Sequence, residues 1–225
     1  MKLLLFDIDN TLLQDNKAHM SIFNQMFKKV YNINADIEKI NHHGLTDEYL
    51  IHLILKNYNI DNGIINQKID DAIKFMTINY KSYLIKYPVS IIPGVEKFLA
   101  KMGNKHKLGI VSGNLKEIAK IKLQSVDLWK YFYGGGFGDD AFERYKLVKI
   151  AISRAEKIFN TKFLKREIIL FGDTIHDITA AKKVNILAVG IEKGIYSKKS
   201  LIEAGADFVF QDFRDLKDIS NSLKI

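Results

Sequence analysis

The chain has 225 residues, with 34 basic and 26 acidic side chains and a formal net charge of +8. That length suffices for one large domain or two, and a hydrophobic content of 47% is ordinary for a globular protein. The lack of cysteine excludes disulfide and thiol chemistry, and no apolar run reaches the roughly 18 residues of a membrane span. We therefore expect a cytoplasmic protein with no membrane association.

The first thirteen residues carry the most distinctive pattern. A short apolar run over residues 2–6 leads directly into Asp7, with Asp9 and Thr11 at intervals of two. A run this short favours a buried β-strand. Two carboxylates at a strand end repel each other and become tolerable when a cation lies between them. A solvated turn that closes the strand is the alternative.

Residues 15–87 have a helical pattern. Apolar side chains recur close to helical spacing in three blocks, at 19–31, 45–58 and 64–85. The only two prolines, Pro88 and Pro93, then mark the end of this segment. The pattern predicts an all-helical insertion after the first strand.

From residue 88 onward, strands alternate with helices. The predicted strands are 107–111, 131–137, 167–171, 186–189 and 208–210, and the predicted helices are 95–101, 115–126, 145–159, 175–184, 198–204 and 214–223. This alternation predicts a parallel sheet with helices on both faces. We therefore expect an α/β core from residues 1–14 and 88–225, with residues 15–87 as the inserted helical domain.

Polar side chains directly follow three of the predicted strands. Asp7, Ser112 and Asp173 each come after an apolar run. Ligands of open α/β sheets bind outside the carboxyl ends of the strands. The sequence therefore predicts one site at this edge of the sheet, built from three strands.

These motifs, taken in order, resemble those of the haloacid dehalogenase superfamily. The chain has a strand followed by Asp-Ile-Asp-Asn-Thr, a strand followed by Ser-Gly-Asn, a basic residue that opens a later helix, and a strand followed by Gly-Asp-Thr-Ile-His-Asp. The resemblance covers the whole α/β part and is greatest to the phosphoglycolate-phosphatase-like subgroup. It implies a Rossmann-like core with a helical cap over residues 15–87. It also implies a Mg²⁺-dependent phosphatase that hydrolyses a small phosphorylated metabolite.

The resemblance assigns roles to four aspartates. Asp7 would attack phosphorus to form an aspartyl-phosphate, and the Asp9 side chain would act as general acid and base. Asp7, Asp173 and the Asp9 backbone carbonyl would hold Mg²⁺, and Asp177 would hold a metal-bound water or orient Asp173. Dehalogenases and phosphonatases of the superfamily lack an aspartate at the second position. Asp9 therefore favours phosphate-ester hydrolysis.

Phosphate binding would come from the second motif. The Ser112 hydroxyl and the backbone N–H groups of Gly113 and Asn114 would bind the transferring phosphoryl group. Alone, Ser-Gly-Asn is also a common turn and helix cap. Thr11, placed with the same group, would brace the first turn, and a plain turn threonine is the alternative.

Two further assignments rest on the resemblance. The family normally has a lysine before the helix that precedes Gly-Asp, and here Arg144 is the first choice for that cation, with Lys146 as the alternative. A solvated charge on the first helical turn must describe at least one of them. The polar loop over 42–47 would face the site, with His43 and Thr46 as candidate specificity residues. A surface loop with no role is the alternative for the histidines.

Two other functions fit parts of the sequence. A phosphomutase resembling β-phosphoglucomutase would use the same fold and transfer the phosphoryl group to a sugar. A basic protein that binds nucleic acid without catalysis would account for the charge of +8. Fold alone does not fix function, but every residue that the phosphatase chemistry needs is present. The phosphatase is therefore our leading hypothesis, and the sequence predicts no oligomeric state.

Overall fold

The computed structural model describes residues 1–14, 17–37, 40 and 42–225. Its strands are β1 (Leu3–Phe6), β2 (Leu13–Gln14), β3 (Ser90–Ile91), β4 (Lys107–Val111), β5 (Gly135–Gly136), β6 (Ile168–Gly172), β7 (Leu187–Ile191) and β8 (Phe208–Phe210). Its α-helices are α1 (Lys17–Tyr31), α2 (Asp47–Asn57), α3 (Asn62–Lys86), α4 (Val95–Gly103), α5 (Lys116–Ser125), α6 (Arg144–Phe159), α7 (Ile175–Lys183), α8 (Lys198–Glu203) and α9 (Leu216–Leu223). The prediction of an α/β fold with a Rossmann-like parallel sheet is confirmed.

A six-stranded sheet forms the centre of the α/β part. Its order is β5-β4-β1-β6-β7-β8, and every pairing in it is parallel. β1 lies between β4 and β6, so the three strands that carry the predicted motifs are neighbours. Parallel strands have their carboxyl ends at one edge, which brings Asp7, Ser112 and Asp173 together.

Alternation along β1 buries both faces of the sheet. Leu4 and Phe6 pack in one apolar cluster, and Leu3 and Leu5 pack in a second cluster on the opposite face. The Phe6 ring stacks on that of Phe171 in β6, with the centroids 4.8 Å apart. Because β1 is fully buried on both sides, the residues that follow it start from a fixed position.

The helices α1, α2 and α3 share a third apolar cluster. That cluster also takes in Leu115 and Ile118, from the start of α5, so the helical segment packs on the sheet helix that follows Ser112. The predicted domain start at residue 15 lies outside the described residues. The division of the chain into a core and a cap stays a prediction.

The two connections between the helical segment and the sheet form strands that we did not predict. β2 and β3 pair antiparallel, with Leu13 opposite Ile91 and Gln14 opposite Ser90. The predicted strand at 131–137 is shorter than expected, because a 3₁₀ turn occupies Trp129–Tyr131 and only β5 pairs with β4. The glycines there leave no side chains to pack along a longer strand.

α3, with 25 residues, is the longest helix in the described part of the chain. It begins at an Asp61 cap, whose side chain accepts a hydrogen bond from the Gly63 N–H at 2.7 Å, and it ends just before Pro88. Charged residues interrupt its apolar positions. No described helix combines the length and the apolar character that crossing a bilayer requires.

Candidate active site

Asp7 lies at the floor of a pocket at the carboxyl edge of the sheet. Its backbone N–H continues the sheet by donating to Phe171 O at 2.9 Å, and the residue is 6% exposed. Ser112, Asp173 and Arg144 line the same pocket. Strand pairing therefore brings these sequence-predicted site residues together.

Arg144, the first residue of α6, contacts the nucleophile candidate directly. Its Nη2 donates to Asp7 Oδ1 at 2.5 Å, and its Nε donates to Asp177 Oδ1 at 2.6 Å. Lys146 is on the surface, about half exposed, and pairs with Glu143 at 2.8 Å. The structure thus brings Arg144 into the pocket and leaves Lys146 outside it.

Three buried carboxylates surround the guanidinium. Asp7, Asp173 and Asp177 each offer an oxygen within 4.8 Å of the others. Both oxygens of Asp177 already accept hydrogen bonds, because Oδ2 accepts from the Thr174 N–H at 3.1 Å and from Thr174 Oγ1 at 2.6 Å, while Oδ1 accepts from Arg144 at 2.6 Å. Asp7 and Asp173 are therefore the carboxylates with oxygens left for a cation.

The backbone of Gly194 holds Asp173 against the cluster. A Cβ at position 194 would lie 1.9 Å from Asp173 Oδ2, so only glycine permits this approach. On the other side, Thr11 Oγ1 lies 3.5 Å from Asp173 Oδ1. Thr11 thus faces the carboxylate cluster.

Burial and mutual repulsion make the cluster electrostatically unfavourable without a cation. Burial raises the pKa of Asp7 to about 7, although Arg144 opposes the shift. Burial, Asp7 and Asp177 together raise the pKa of Asp173 well above its usual value. One guanidinium among three carboxylates leaves an excess of negative charge, which is the environment that a hard divalent cation neutralises.

Asp9 is held by two donors from the second motif and the helix after it. Lys122 Nζ lies 2.8 Å from both carboxylate oxygens, and Asn114 Nδ2 donates to Oδ2 at 2.7 Å. Burial tends to raise the pKa of Asp9, but Lys122 and His19 outweigh it, and the pKa lies below its usual value. Asp9 and Asp7 therefore sit in opposite electrostatic surroundings two residues apart.

The second motif has a partly different set of contacts from the one expected. Ser112 is buried, and its Oγ accepts from Asn114 Nδ2 at 2.9 Å and from the Asn114 backbone N–H at 3.3 Å. The Asn114 N–H, which we expected to bind phosphate, is therefore used by Ser112, and the two accepted bonds do not use the Ser112 hydroxyl hydrogen. Asn114 links Ser112 to Asp9.

The helical segment is closed over the pocket through α2. The Asp47 N–H donates to Gly113 O at 2.8 Å, and the Asp47 carboxylate accepts from the Leu115 N–H at 2.8 Å and meets His19 Nε2 at 2.9 Å. A Cβ at Gly113 would lie 2.2 Å from Leu45 O, so the backbones touch there. The contact ties the helical segment to the loop that carries Ser112.

The two candidate specificity residues lie in different places. His43 lines the pocket and its ring stacks on that of His42, with the centroids 4.4 Å apart. Thr46 is buried outside the pocket lining, and its hydroxyl donates to Phe142 O at 3.3 Å. The closed pocket has a volume of about 70 Å³.

Sequence reasoning missed Lys122 and His19. A signal for Lys122 was present: it falls four residues after the apolar Ile118 and three after the apolar Ala119, on the buried face of α5. Asp47 belongs to the polar loop 42–47 that we expect to face the site, but its contact with Leu115 could not be predicted, since that contact depends on how the helical segment packs.

Comparison with known proteins identifies the family. Residues 4–191 match the model of the haloacid dehalogenase-like hydrolases. Pyrophosphatase PpaX from Listeria monocytogenes is 27% identical over 217 residues, which cover 95% of this chain and 93% of that protein. Among solved structures, a hydrolase from Pseudomonas syringae (TM-score 0.73, 20% identity, 98% of both chains) and CbbY from Rhodobacter sphaeroides in complex with phosphate (TM-score 0.73, 16% identity, 96% of both chains) share the fold.

The match spans the motifs around Asp7, Ser112, Arg144 and Asp173 and also the helical segment. The resemblance stated from the motifs is thereby confirmed, and with it the assignment as an enzyme of the phosphatase type. The chain belongs to the haloacid dehalogenase-like hydrolases.

Proposed function

We propose that the chain is a Mg²⁺-dependent phosphatase that hydrolyses a compact phosphorylated metabolite through an aspartyl-phosphate on Asp7. The observation that carries the proposal is that two carboxylates close in the sequence have different hydrogen-bond partners and oppositely shifted pKa values. Asp7 is buried beside Arg144, while Asp9, two residues on, is held by Lys122 and Asn114. One nucleophile and one proton-transfer group are what two-step phosphate hydrolysis requires.

The residues at the carboxyl edge fit a magnesium ion. Asp7 and Asp173 offer buried hard oxygens within 4.8 Å of each other, and the Gly194 backbone closes the space behind Asp173. With the Asp9 carbonyl, these carboxylates would hold the ion, and Asp177 would support it from behind through Thr174 and Arg144. When bound there, Mg²⁺ would offset the repulsion between the anionic nucleophile and the phosphoryl oxygens.

In the first step, an Asp7 carboxylate oxygen attacks phosphorus. The bond from phosphorus to the leaving oxygen breaks, and Asp9 delivers the proton that the leaving oxygen needs. Because its pKa is low, Asp9 first takes this proton from solvent or from the substrate's phosphate group. Arg144 keeps the Asp7 carboxylate oriented, and the Ser112 hydroxyl donates to a phosphoryl oxygen. Asp7 then carries the phosphoryl group.

In the second step, Asp9 accepts a proton from a water molecule that attacks the same phosphorus. The bond between phosphorus and the Asp7 oxygen breaks, and inorganic phosphate leaves with Asp7 restored as a carboxylate. Asp9 is now protonated again and ready for the next substrate. The cycle therefore balances with water as the only co-reactant.

The pocket favours a compact substrate. Its volume of about 70 Å³ is several times the space that a single water molecule needs, which suits a phosphoryl group with a small leaving group. The name of the PpaX relative fits this size, and pyrophosphate, phosphoglycolate and acetyl phosphate are suitable first substrates.

The test is release of inorganic phosphate from these three compounds, with Mg²⁺ and with EDTA, using the Asp7→Asn variant as control. We expect turnover of at least one compound that needs Mg²⁺ and disappears in the variant. Phosphate release that persists undiminished in Asp7→Asn would rule out Asp7 as the nucleophile. Release only after a sugar bisphosphate is added would favour the phosphomutase, and salt-dependent binding of nucleic acid without turnover would favour the non-catalytic protein.

The cytoplasmic location stays a prediction, and so do the substrate's identity and the cap's role in selecting it.

A further inference from the structure

A buried lysine lies under the proton-transfer carboxylate. Lys122, near the end of α5, is 1% exposed and sits on the same helix face as Ile118, Ala119 and Leu123. Removing an ammonium group from water costs several kcal/mol unless a partner compensates. A lysine at such a position has a specific partner, and the partner here is Asp9.

The contact fixes the Asp9 carboxylate in one orientation. Lys122 Nζ lies 2.8 Å from each oxygen, and Asn114 Nδ2 adds a third bond, to Oδ2, at 2.7 Å. A carboxylate offers about four lone-pair sites, so three are used and one, on Oδ1, is left for a proton. The Asp9 side chain is 26% exposed and lines the pocket, which gives that site access to a substrate.

The surroundings hold the ammonium group in place as well. The ring of Tyr80, on α3 in the helical segment, is 5.9 Å from Lys122 Nζ and is itself buried. Lys122 therefore lies between the sheet helix α5 and the helical segment, with its charged end at Asp9. Moving the Lys122 ammonium group would disturb its contact with Asp9 or its contact with the Tyr80 ring.

We propose that Lys122 is a positioning residue for the proposed reaction: it holds the Asp9 carboxylate in the orientation from which a proton moves to the leaving oxygen and from the attacking water. The inference rests on the proposed function, because it acts through Asp9. It adds a residue that none of the four motifs contains and that lies ten positions after Ser112.

A double-mutant cycle separates positioning from a general stabilising role. The variants are Lys122→Met, Asp9→Asn and the double variant. Lys120→Met is the matched control, because residues two apart lie on nearly opposite sides of a helix. kcat and KM are measured on whichever of pyrophosphate, phosphoglycolate and acetyl phosphate the native enzyme turns over fastest, and thermal unfolding checks that each variant is folded.

We expect Lys122→Met to lower kcat by about 10-fold or more, which is part of the roughly 10²–10⁴-fold that general acid–base catalysis contributes. KM should change much less, and Lys120→Met should match the native enzyme. In the Asp9→Asn background, Lys122→Met should change kcat by less than about 3-fold, because the group that it positions is already lost. An equal loss in both backgrounds, or no loss in the native background, would overturn the proposal.

The outcomes also distinguish this inference from the proposed function. Full activity of Asp9→Asn would remove Asp9 from the chemistry, and both would fail. Loss of activity in Asp9→Asn with an unaffected Lys122→Met would leave the phosphatase intact and remove only Lys122. If Lys122→Met does not fold, Lys122→Gln, which keeps a donor without the charge, replaces it in the same cycle with the same expected non-additivity.

Discussion

Replacing the buried nucleophile candidate with a neutral isostere should make the metal-free protein more stable at high pH. Asp7 is 6% exposed, and burial raises its pKa from 3.8 to about 7. A carboxyl group whose pKa is higher in the folded state stabilises that state while it is protonated. This stabilisation is complete below pH 3.8 and is lost as the pH rises through about 7. Asn at position 7 does not ionise, so the variant escapes the loss.

The magnitude follows from the size of the shift. A difference of about three pKa units at about 1.4 kcal/mol per unit corresponds to about 4 kcal/mol. The free energy of unfolding of Asp7→Asn, relative to that of the native protein, should therefore rise by up to about 4 kcal/mol between about pH 4 and about pH 8. Asp173 adds to this rise in relative stability, because the charge of Asp7 helps to raise the pKa of Asp173 and the variant removes that repulsion.

The assay is urea unfolding in EDTA at several pH values, followed by the fluorescence of Trp129, the single tryptophan. Asp127→Asn is the matched control, since that carboxylate is 80% exposed and its change should give a constant difference. Adding Mg²⁺ at high pH should stabilise the native protein and have little effect on Asp7→Asn. A difference between variant and native protein that stays flat with pH would refute the account of the carboxylate cluster.

Four further substitutions test other contacts of the site. Arg144→Ala should lower kcat by at least about 10²-fold in steady-state assays, because Arg144 contacts Asp7. Lys146→Ala should leave kcat within about 2-fold of the native value, because Lys146 is on the surface. Equal effects of the two variants would refute the assignment of Arg144 to the site and Lys146 to the surface. Asp47→Ala should raise KM and cost about 1–3 kcal/mol in urea unfolding, because it leaves a buried N–H without its acceptor. Gly113→Ala should lower kcat/KM by at least about 10-fold, because its Cβ would collide with Leu45 O, while the sheet should still fold. Unchanged kinetics would contradict that contact.

The sheet and the meeting of its motifs follow from short-range patterns. Short continuous apolar runs, separated by helical blocks, predict parallel strands, and parallel strands place their ends at one edge. No long-range information was needed to bring Asp7 and Ser112 together. The order of the strands could not be predicted in this way, because no local sequence pattern indicates that β1 lies between β4 and β6.

The choice between Arg144 and Lys146 needed the structure. Residues two apart on a helix point in nearly opposite directions, so the rotation of α6 decides which cation reaches Asp7. Thr46 illustrates a different limit. It directly precedes α2, where a threonine commonly caps the helix, but its side chain makes no capping bond and donates to Phe142 O. The hydroxyl donates to the backbone carbonyl of a distant loop instead of accepting from an N–H group of the helix start.

Arg144 contacts both the proposed catalytic residue Asp7 and the helical segment. Arg144 donates to Asp7 and to Asp177 in the α/β part, and its Nη1 also donates to Gly44 O, in the polar loop before α2, at 3.2 Å. Val111 O, at 3.4 Å from Nη2, is a fourth acceptor and also lies in the α/β part. A guanidinium is planar, so acceptors on several of its edges fix its orientation. Moving the loop away would remove one of the four hydrogen bonds. Closure of the helical segment over the pocket therefore adds a bond to the residue that contacts Asp7.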